Sequence, residues 1–487
     1  MTTPNPLPGQ AALLAELAAL LPAASLLTVN EDLKPYECDG LTAYRQLPFA
    51  VVLPEDEAQV VAVLRACQRH QVPVVARGAG TGLSGGATPV AGGVILSLAK
   101  FMRILEVDPL ARTARVQPGV RNLAISEAAA PHGLYYAPDP SSQIACTIGG
   151  NVAENSGGVH CLKYGLTVHN ILKLRVALID GTVLEIGSDA LDAPGYDLLA
   201  VLIGSEGMLA VVLEATVRLT PKPQLAKVVM ASFDDMTKAG NAVADIIAAG
   251  IIPAGLEMMD KPATAAVEDF VHAGYDLEAE AILLAESDGT PEEVEEEIAA
   301  MCAVLGKAGA RELRVSQGEA ERLKFWAGRK AAFPAVGRIT PDYLCMDGTI
   351  PRKHLAHVLI RIGELSRQYG LRCANVFHAG DGNLHPLIMF DANVPGEVER
   401  ATEFGARILE LSVDVGGTIT GEHGVGIEKV GQMCVQFSPE ELEAFHALKA
   451  AFDPQGLLNP GKAVPTPRRC SEYRLTGSAG HGERKAA

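Results

Sequence analysis

Long apolar runs are missing from this sequence: nowhere in its 487 residues does one approach the roughly eighteen needed to cross a bilayer. The apolar stretch from Ala11 to Leu27 is interrupted by Glu16 and has no basic region before it, so it reads as an amphipathic helix packed on the body, not as a signal peptide. Positive charge is scarce as well. A formal net charge of −17 argues against nucleic acid or an anionic membrane surface as a partner, and an anionic substrate would need local positive charge in its pocket. Part of the excess is a solvated helix face around Glu292, Glu293, Glu295, Glu296 and Glu297. The nine cysteines lack short spacings. The closest pair, Cys146 and Cys161, lies fifteen residues apart, which speaks against a disulfide framework, a zinc knuckle or an iron–sulfur motif. A cytoplasmic protein with no cluster of its own is expected. Internal repeats are also lacking, and the length calls for two or three domains.

Glycine, by contrast, is concentrated in three places. The first is Val74-Val75-Ala76-Arg77-Gly78-Ala79-Gly80-Thr81-Gly82-Leu83-Ser84-Gly85-Gly86-Ala87, a short strand running into a loop with successive inward-turning amides. Gly80-x-Gly82-x-x-Gly85 fits a dinucleotide fingerprint, but the fingerprint requires a helix directly afterwards. Pro89, Gly92, Gly93 and the strand-like Val94-Ile95-Leu96-Ser97-Leu98 follow instead. The loop must therefore join two strands and hold phosphates by backbone donors alone. The second segment runs from Pro138-Asp139-Pro140-Ser141-Ser142 into Thr147-Ile148-Gly149-Gly150-Asn151-Val152-Ala153-Glu154-Asn155-Ser156-Gly157-Gly158, and the third is Gly204-Ser205-Glu206-Gly207-Met208-Leu209-Ala210-Val211-Val212. Any one of them reads equally well as a tight turn; three in one half of the chain point to an extended nucleotide.

Strands and short helices alternate from about Leu47 to Pro221, where Leu219-Thr220-Pro221-Lys222-Pro223 marks a boundary. Beyond it, strand-like runs (Lys227–Phe233, Ala281–Glu286, Tyr343–Ile350, Asn375–His378, Pro386–Phe390) alternate with helices over Met236–Ala249, Pro291–Ala308 and Lys353–Tyr369, giving an α+β layer. Within this half, Asn375-Val376-Phe377-His378-Ala379-Gly380-Asp381-Gly382-Asn383-Leu384-His385-Pro386 predicts a hairpin with a two-residue type I′ turn at Asp381-Gly382. That register opposes His378 to His385, with both imidazoles on one face. Glu422, in Thr418-Ile419-Thr420-Gly421-Glu422-His423-Gly424, can close a His₂Glu metal site, and the adjacent His423 can serve as a base. Zinc, manganese and iron fit this donor set alike.

At these residues the chain resembles the FAD-dependent 2-hydroxyacid dehydrogenases of the vanillyl-alcohol-oxidase (PCMH-type) family, and within it the D-type flavin subunits of glycolate oxidase. The resemblance runs from about Val51 to Lys462. It is carried by residues 77–87, Ala-Pro-Asp-Pro-Ser-Ser-Gln-Ile at 137–144, Gly-Gly-Asn-Val-Ala-Glu-Asn at 149–155, His-Cys-Leu-Lys-Tyr-Gly at 160–165, His-Ala-Gly-Asp-Gly-Asn-Leu-His at 378–385 and Gly-Glu-His-Gly at 421–424. It implies a two-part FAD-binding domain, a cap domain with an antiparallel sheet, and a small helical C-terminal element that returns to the flavin. The expected division is an N-terminal helical segment at 1–46, the FAD domain at 47–222, the cap at 223–412, the C-terminal element at 413–465 and a mobile tail at 466–487.

The resemblance further implies FAD bound by Arg77, Gly78, Ala79, Gly80, Thr81, Gly82, Leu83, Ser84 and Gly85; by Pro138, Asp139, Thr147, Gly150, Asn151, Asn155, Ser156 and Gly157; and by Glu206, Gly207, Val212 and Asn459. Some relatives tether FAD through a histidine in the first loop; Ser84-Gly85-Gly86-Ala87 has none, so the FAD should be non-covalent. The family's carboxylate-binding arginine falls at Arg329. Relatives acting on larger diacids carry a lysine where Cys345 falls, so a small monoacid is expected. Arg329, Asn383 and the metal would fix the substrate, and His423 would take the hydroxyl proton as hydride leaves Cα. The expected activity is oxidation of glycolate, with D-lactate a second substrate. Electrons would pass to a second FAD-domain subunit and an iron–sulfur subunit, through which the chain would meet the inner membrane. A stand-alone D-lactate dehydrogenase using a cytochrome or quinone is the alternative. A metallohydrolase would leave the nucleotide loops idle, and a non-catalytic FAD-binding subunit would leave the histidines idle.

Overall fold

A computed structural model describes residues 8–190 and 195–477. Three sheets of four or more strands organise the described residues, beside a two-stranded pair of Leu134–Tyr135 with Thr220–Pro221. In the first, Ala50–Val52, Val94–Ser97 and Val74–Arg77 run parallel, with Leu26–Leu27 added antiparallel at the edge. The helix Glu57–Arg69 connects two of these strands. The Asp56 carboxylate caps it at the Gln59 amide (2.9 Å), and it buries Val60, Val63, Leu64 and Cys67. On it lies the N-terminal helix, whose Leu13 and Leu17 are fully buried. That helix stops at Leu20, not Leu27. Pro22 follows, and Leu26–Leu27 extend as a strand.

The second sheet is antiparallel in the order Ile104–Asp108, Thr113–Val116, Val211–Arg218, Ile171–Ala177, Val183–Gly187. The third has seven antiparallel strands, ordered Glu312–Val315, Leu225–Phe233, Ala281–Gly289, Gly255–Asp260, Cys373–His378, Asn383–Phe390, Asp342–Cys345. Both of its faces are covered. Val229, Ala231 and Phe233 pack with the helices Met236–Ala248, Pro291–Lys307 and Leu355–Tyr369, whereas Val228 and Met230 pack with Lys261–Val271 and Glu319–Lys330. Double burial explains why these strands read as continuous apolar runs with little alternation. The architecture is α+β.

The chain then returns to the first sheet. Leu458 bridges to Val74, and the Asn459 amide donates to the Val74 carbonyl at 2.8 Å. Two expectations about the end of the chain are corrected. Residues Pro467–Gly477 form a helix and not a mobile tail: Tyr473 rests on Gly431 and donates to Glu410 at 2.8 Å. Cys470 of that helix is joined to Cys434 in a disulfide, so helix packing supplies a pairing that the 36-residue spacing conceals. Residues 478–487 of the expected tail, like residues 1–7, lie outside the described residues.

Candidate functional site

The glycine-rich loop 78–93 connects the parallel strands Val74–Arg77 and Val94–Ser97 without a helix, as its sequence requires. Among the described residues, the amides of Ala79, Gly80, Thr81, Gly82 and Leu83 donate to no protein acceptor. Gly80 has φ +72°, and a methyl on Gly78 would stand 2.2 Å from Thr147 Oγ1, so the first two glycine segments touch. Together with residues 205–212 they line one cavity of about 400 Å³. Thr147 Oγ1 is buried in its wall without a hydrogen-bond partner. Free amides, a free hydroxyl and close backbone access suit an extended, phosphate-bearing cofactor.

Of the expected cofactor residues, Arg77 to Leu83, Thr147, Gly150, Asn151, Ser156, Glu206, Gly207 and Val212 line this cavity. Ser84, Gly85, Pro138, Asp139, Asn155, Gly157 and Asn459 do not, and each has another task. The Ser84 carbonyl accepts from the Ile427 and Glu428 amides, while a methyl on Gly85 would meet Ile427. Pro138 accepts from Asn122, and the Asn155 side chain accepts from the Val168 amide. Asp139 holds His160 at 2.8 Å. Gly157 leaves room for Glu422, and Asn459 donates to the carbonyls of Gly86 and Glu206, tying two cofactor loops together. Such spacing residues look like ligands in a sequence because tight loops need the same small and amide-bearing types.

The same cavity is also lined by Arg329, Lys330, Phe333, His378, His385, Glu422 and His423. His378 and His385 share a face, but not in the expected register. Asn383 is the residue opposite His378, and His385 opposes Val376. The turn therefore has four residues, 379–382, with only Gly382 at positive φ (+84°), so the type I′ turn is not made. A slip of two residues keeps every side chain on its face. The rings still meet, perpendicular, with centroids 5.1 Å apart.

His378 Nε2 and His385 Nε2 lie 3.0 and 2.9 Å from the same Glu422 oxygen, Oε1. Burial raises the Glu422 carboxyl, but the two histidines outweigh it and hold it well below the usual carboxylate range. Behind His378, Glu257 accepts from Nδ1 at 2.6 Å through Oε1, and its Oε2 accepts from Arg329 Nε at 2.7 Å. Burial works against charge on His378, yet Glu257 and Glu422 raise its imidazole well above the ordinary value. Two imidazole nitrogens and a carboxylate oxygen converge on one point, with an outer carboxylate fixing one ring, and such a group could hold a divalent cation. Arg329 is buried, and its Nε bond to Glu257 is the one hydrogen bond of its side chain among the described residues, leaving the rest of the guanidinium for an anion in the cavity.

His423 stacks on His385 at 4.8 Å, and its buried Nδ1, 4.0 Å from Asp347 Oδ1, has no hydrogen-bond partner among the described residues. Burial lowers it to about 4, so it is neutral and able to accept a proton. Its loop is held by Asp347. That carboxylate accepts from the Gly421, Glu422 and His423 amides, the Thr420 hydroxyl and Asn383 Nδ2. Burial works against charge on Asp347, yet its carboxyl is held well below the usual range, with the Lys429 ammonium 3.4 Å from Oδ2. Asn383 does not line the cavity: its amide group is turned to Asp347 and Thr349. Sequence reasoning missed Glu257 and Asp347. A signal for Asp347 was present, as it is the one charged residue in the run Leu344 to Ile350.

Comparison with known proteins agrees with this layout. The profile of the family "FAD binding domain" matches residues 48–187, and that of "FAD linked oxidases, C-terminal domain" matches residues 222–463. Glycolate oxidase subunit GlcD of Escherichia coli (strain K12) is 64% identical over 453 residues, 93% of this chain and 91% of that protein. D-lactate dehydrogenase of Archaeoglobus fulgidus is 36% identical over 420 residues, 85% of this chain and 91% of that one. The structure of p-cresol methylhydroxylase with substrate bound covers 94% of this chain and 97% of its own, with a TM-score of 0.79 at 18% identity, a likeness of fold.

Proposed function

This chain belongs to the FAD-linked oxidases, and from that premise we propose that it is the flavin subunit of a glycolate dehydrogenase, oxidising glycolate, and D-lactate as a second substrate, to the 2-oxo acid. The observation that carries the reading is that Arg329, His378, His385, Glu422 and His423 converge on the cavity that the glycine loops line. The cavity's lining residues, Gly78 to Leu83 and Thr147 among them, would hold FAD without a covalent tether, and FAD would supply the hydride acceptor. A divalent cation on His378, His385 and Glu422 would supply a Lewis acid for the substrate's carboxylate and hydroxyl oxygens. Arg329 holds the substrate carboxylate, and the buried Glu257 aims both Arg329 and His378. His423 takes the α-hydroxyl proton. Asn383 acts through Asp347 as a positioning residue for the His423 loop, not as a substrate ligand.

Electrons leave through a partner. The closest spacing of cysteines suits no iron–sulfur cluster, and the relatives named glycolate oxidase are named as subunits. A second FAD-domain subunit and an iron–sulfur subunit would serve, and a cytoplasmic chain would reach the inner membrane through them. Among the described residues no helix is long and apolar enough to cross a membrane.

The purified protein should show flavin absorption that glycolate bleaches under anaerobic conditions. A colourless protein, or flavin bands that neither glycolate nor D-lactate bleaches, would sink the reading. Gly82→Val tests the loop separately. A Cβ there meets only Asp39 Oδ2 at 3.7 Å and Glu154 Oε1 at 4.0 Å, and φ is not positive, so the chain should fold. Its branches would nevertheless enter the cradle, and flavin content should fall below about a tenth of wild type. Full flavin occupancy in the folded variant would remove the loop from the site.

A further inference from the structure

Helix Ile148–Glu154 ends at the cavity wall, and its last residue carries a carboxyl with no part in the reaction above. Glu154 makes no hydrogen bond to any described residue, and its Oε2 is buried. Glycines surround it. A methyl on Gly86 would lie 2.5 Å from Oε1, one on Gly424 2.0 Å from Oε2, and one on Gly82, in the cofactor loop, 4.0 Å from Oε1. The same methyl on Gly424 would stand 3.1 Å from Oε1 of Glu206, so two carboxyl groups flank one glycine.

The two carboxyls differ in what holds them. Glu206 accepts from the Val425 amide through Oε1 and from the Gly426 amide through Oε2, both at 2.7 Å; burial raises its carboxyl above the usual range, and these two donors pull it part of the way back. Glu154 receives no donor. Burial, then the charges of Glu206 and Asp39, push its carboxyl well above the usual range, against the pull of Lys429 and Lys462. Neither lysine bonds to it: Lys429 Nζ is directed to the Gly424 carbonyl and Asp347, and Lys462 Nζ to the carbonyls of Gly86 and Thr88.

We propose that Glu154 and Glu206 hold one proton between them, on Glu154, and that Glu154 is a flavin-binding residue whose O–H donates into the cavity beside Gly82. The inference rests on the reading that this cavity holds FAD. A neutral acid provides a donor there without setting a second negative charge beside an anionic dinucleotide.

The test is to titrate apoprotein with FAD for wild type, Glu154→Gln and Glu154→Ala, and to compare infrared spectra of loaded wild type and Glu154→Gln at neutral pH. Glutamine keeps a neutral donor, so its FAD affinity should stay within about threefold of wild type, while alanine should weaken binding about tenfold. Wild type should show a protonated-carboxyl C=O band that Glu154→Gln lacks. The proposal is overturned if glutamine binds FAD as weakly as alanine, if alanine binds as tightly as wild type, or if no such band separates the spectra. Wild-type apoprotein that binds no FAD overturns instead the reading of the cavity, whatever the infrared result.

Discussion

His423→Asn should slow flavin reduction by glycolate about 10²–10⁴-fold, the usual yield of one positioned acid–base group. Asparagine keeps much of the ring's size and some of its hydrogen bonding but cannot take up the hydroxyl proton at neutral pH. The surrounding loop should survive, because the hydrogen bonds by which Asp347 holds it come from the backbone amides of residues 421–423, whereas the imidazole stands 4.0 Å off. Flavin content should therefore stay normal, as should metal content, since Glu422 and not His423 is assigned to the metal. Rapid-mixing measurement of flavin bleaching separates this step from later electron transfer. Wild-type reduction rates would place the base elsewhere, whereas loss of metal would make His423 a ligand.

His385→Ala should lower metal affinity by more than about 100-fold, beyond the range typical of outer partners, and reduce turnover to background while the protein stays yellow. The reason is that His378 and Glu422 alone leave the site two-coordinate from protein. None of the three glycine-rich loops contains His385, so flavin retention should not depend on it. His378→Ala should do the same but is less clean, because it also leaves Glu257 with Arg329 as its only ion partner among the described residues. Elemental analysis and the visible spectrum of the two variants decide the matter. Normal metal content in both would dispose of the site.

Residue types made the two halves of the site legible, and pairing geometry did not. A glycine loop without a following helix announced its strand–loop–strand form, and two histidines flanking a turn announced a shared face. The turn itself misled: Asp-Gly is a strong hairpin signal, but here Gly380 packs against Leu162 and Leu256, and pairing ends at His378. The face survived because the error was an even number of residues. Glu257 was hidden for a different reason. Its strand, Gly255–Asp260, is buried at all six positions, so no alternation marks it as a strand or Glu257 as a residue facing the site. Asp347 gains its meaning only from the loop 420–423, remote in sequence, which no local pattern connects to it.

The two oxygens of Glu257 have a further consequence, for anyone who would change what this protein accepts. One side chain sets the angle of both Arg329, the guanidinium proposed to bind the substrate anion, and His378, an imidazole proposed to bind the metal. A redesign that replaces Arg329 to admit an uncharged alcohol would strand a buried carboxylate against His378, and the metal pocket would feel it. Substrate range and metal affinity are thus adjustable only together, with position 257 changed in the same step.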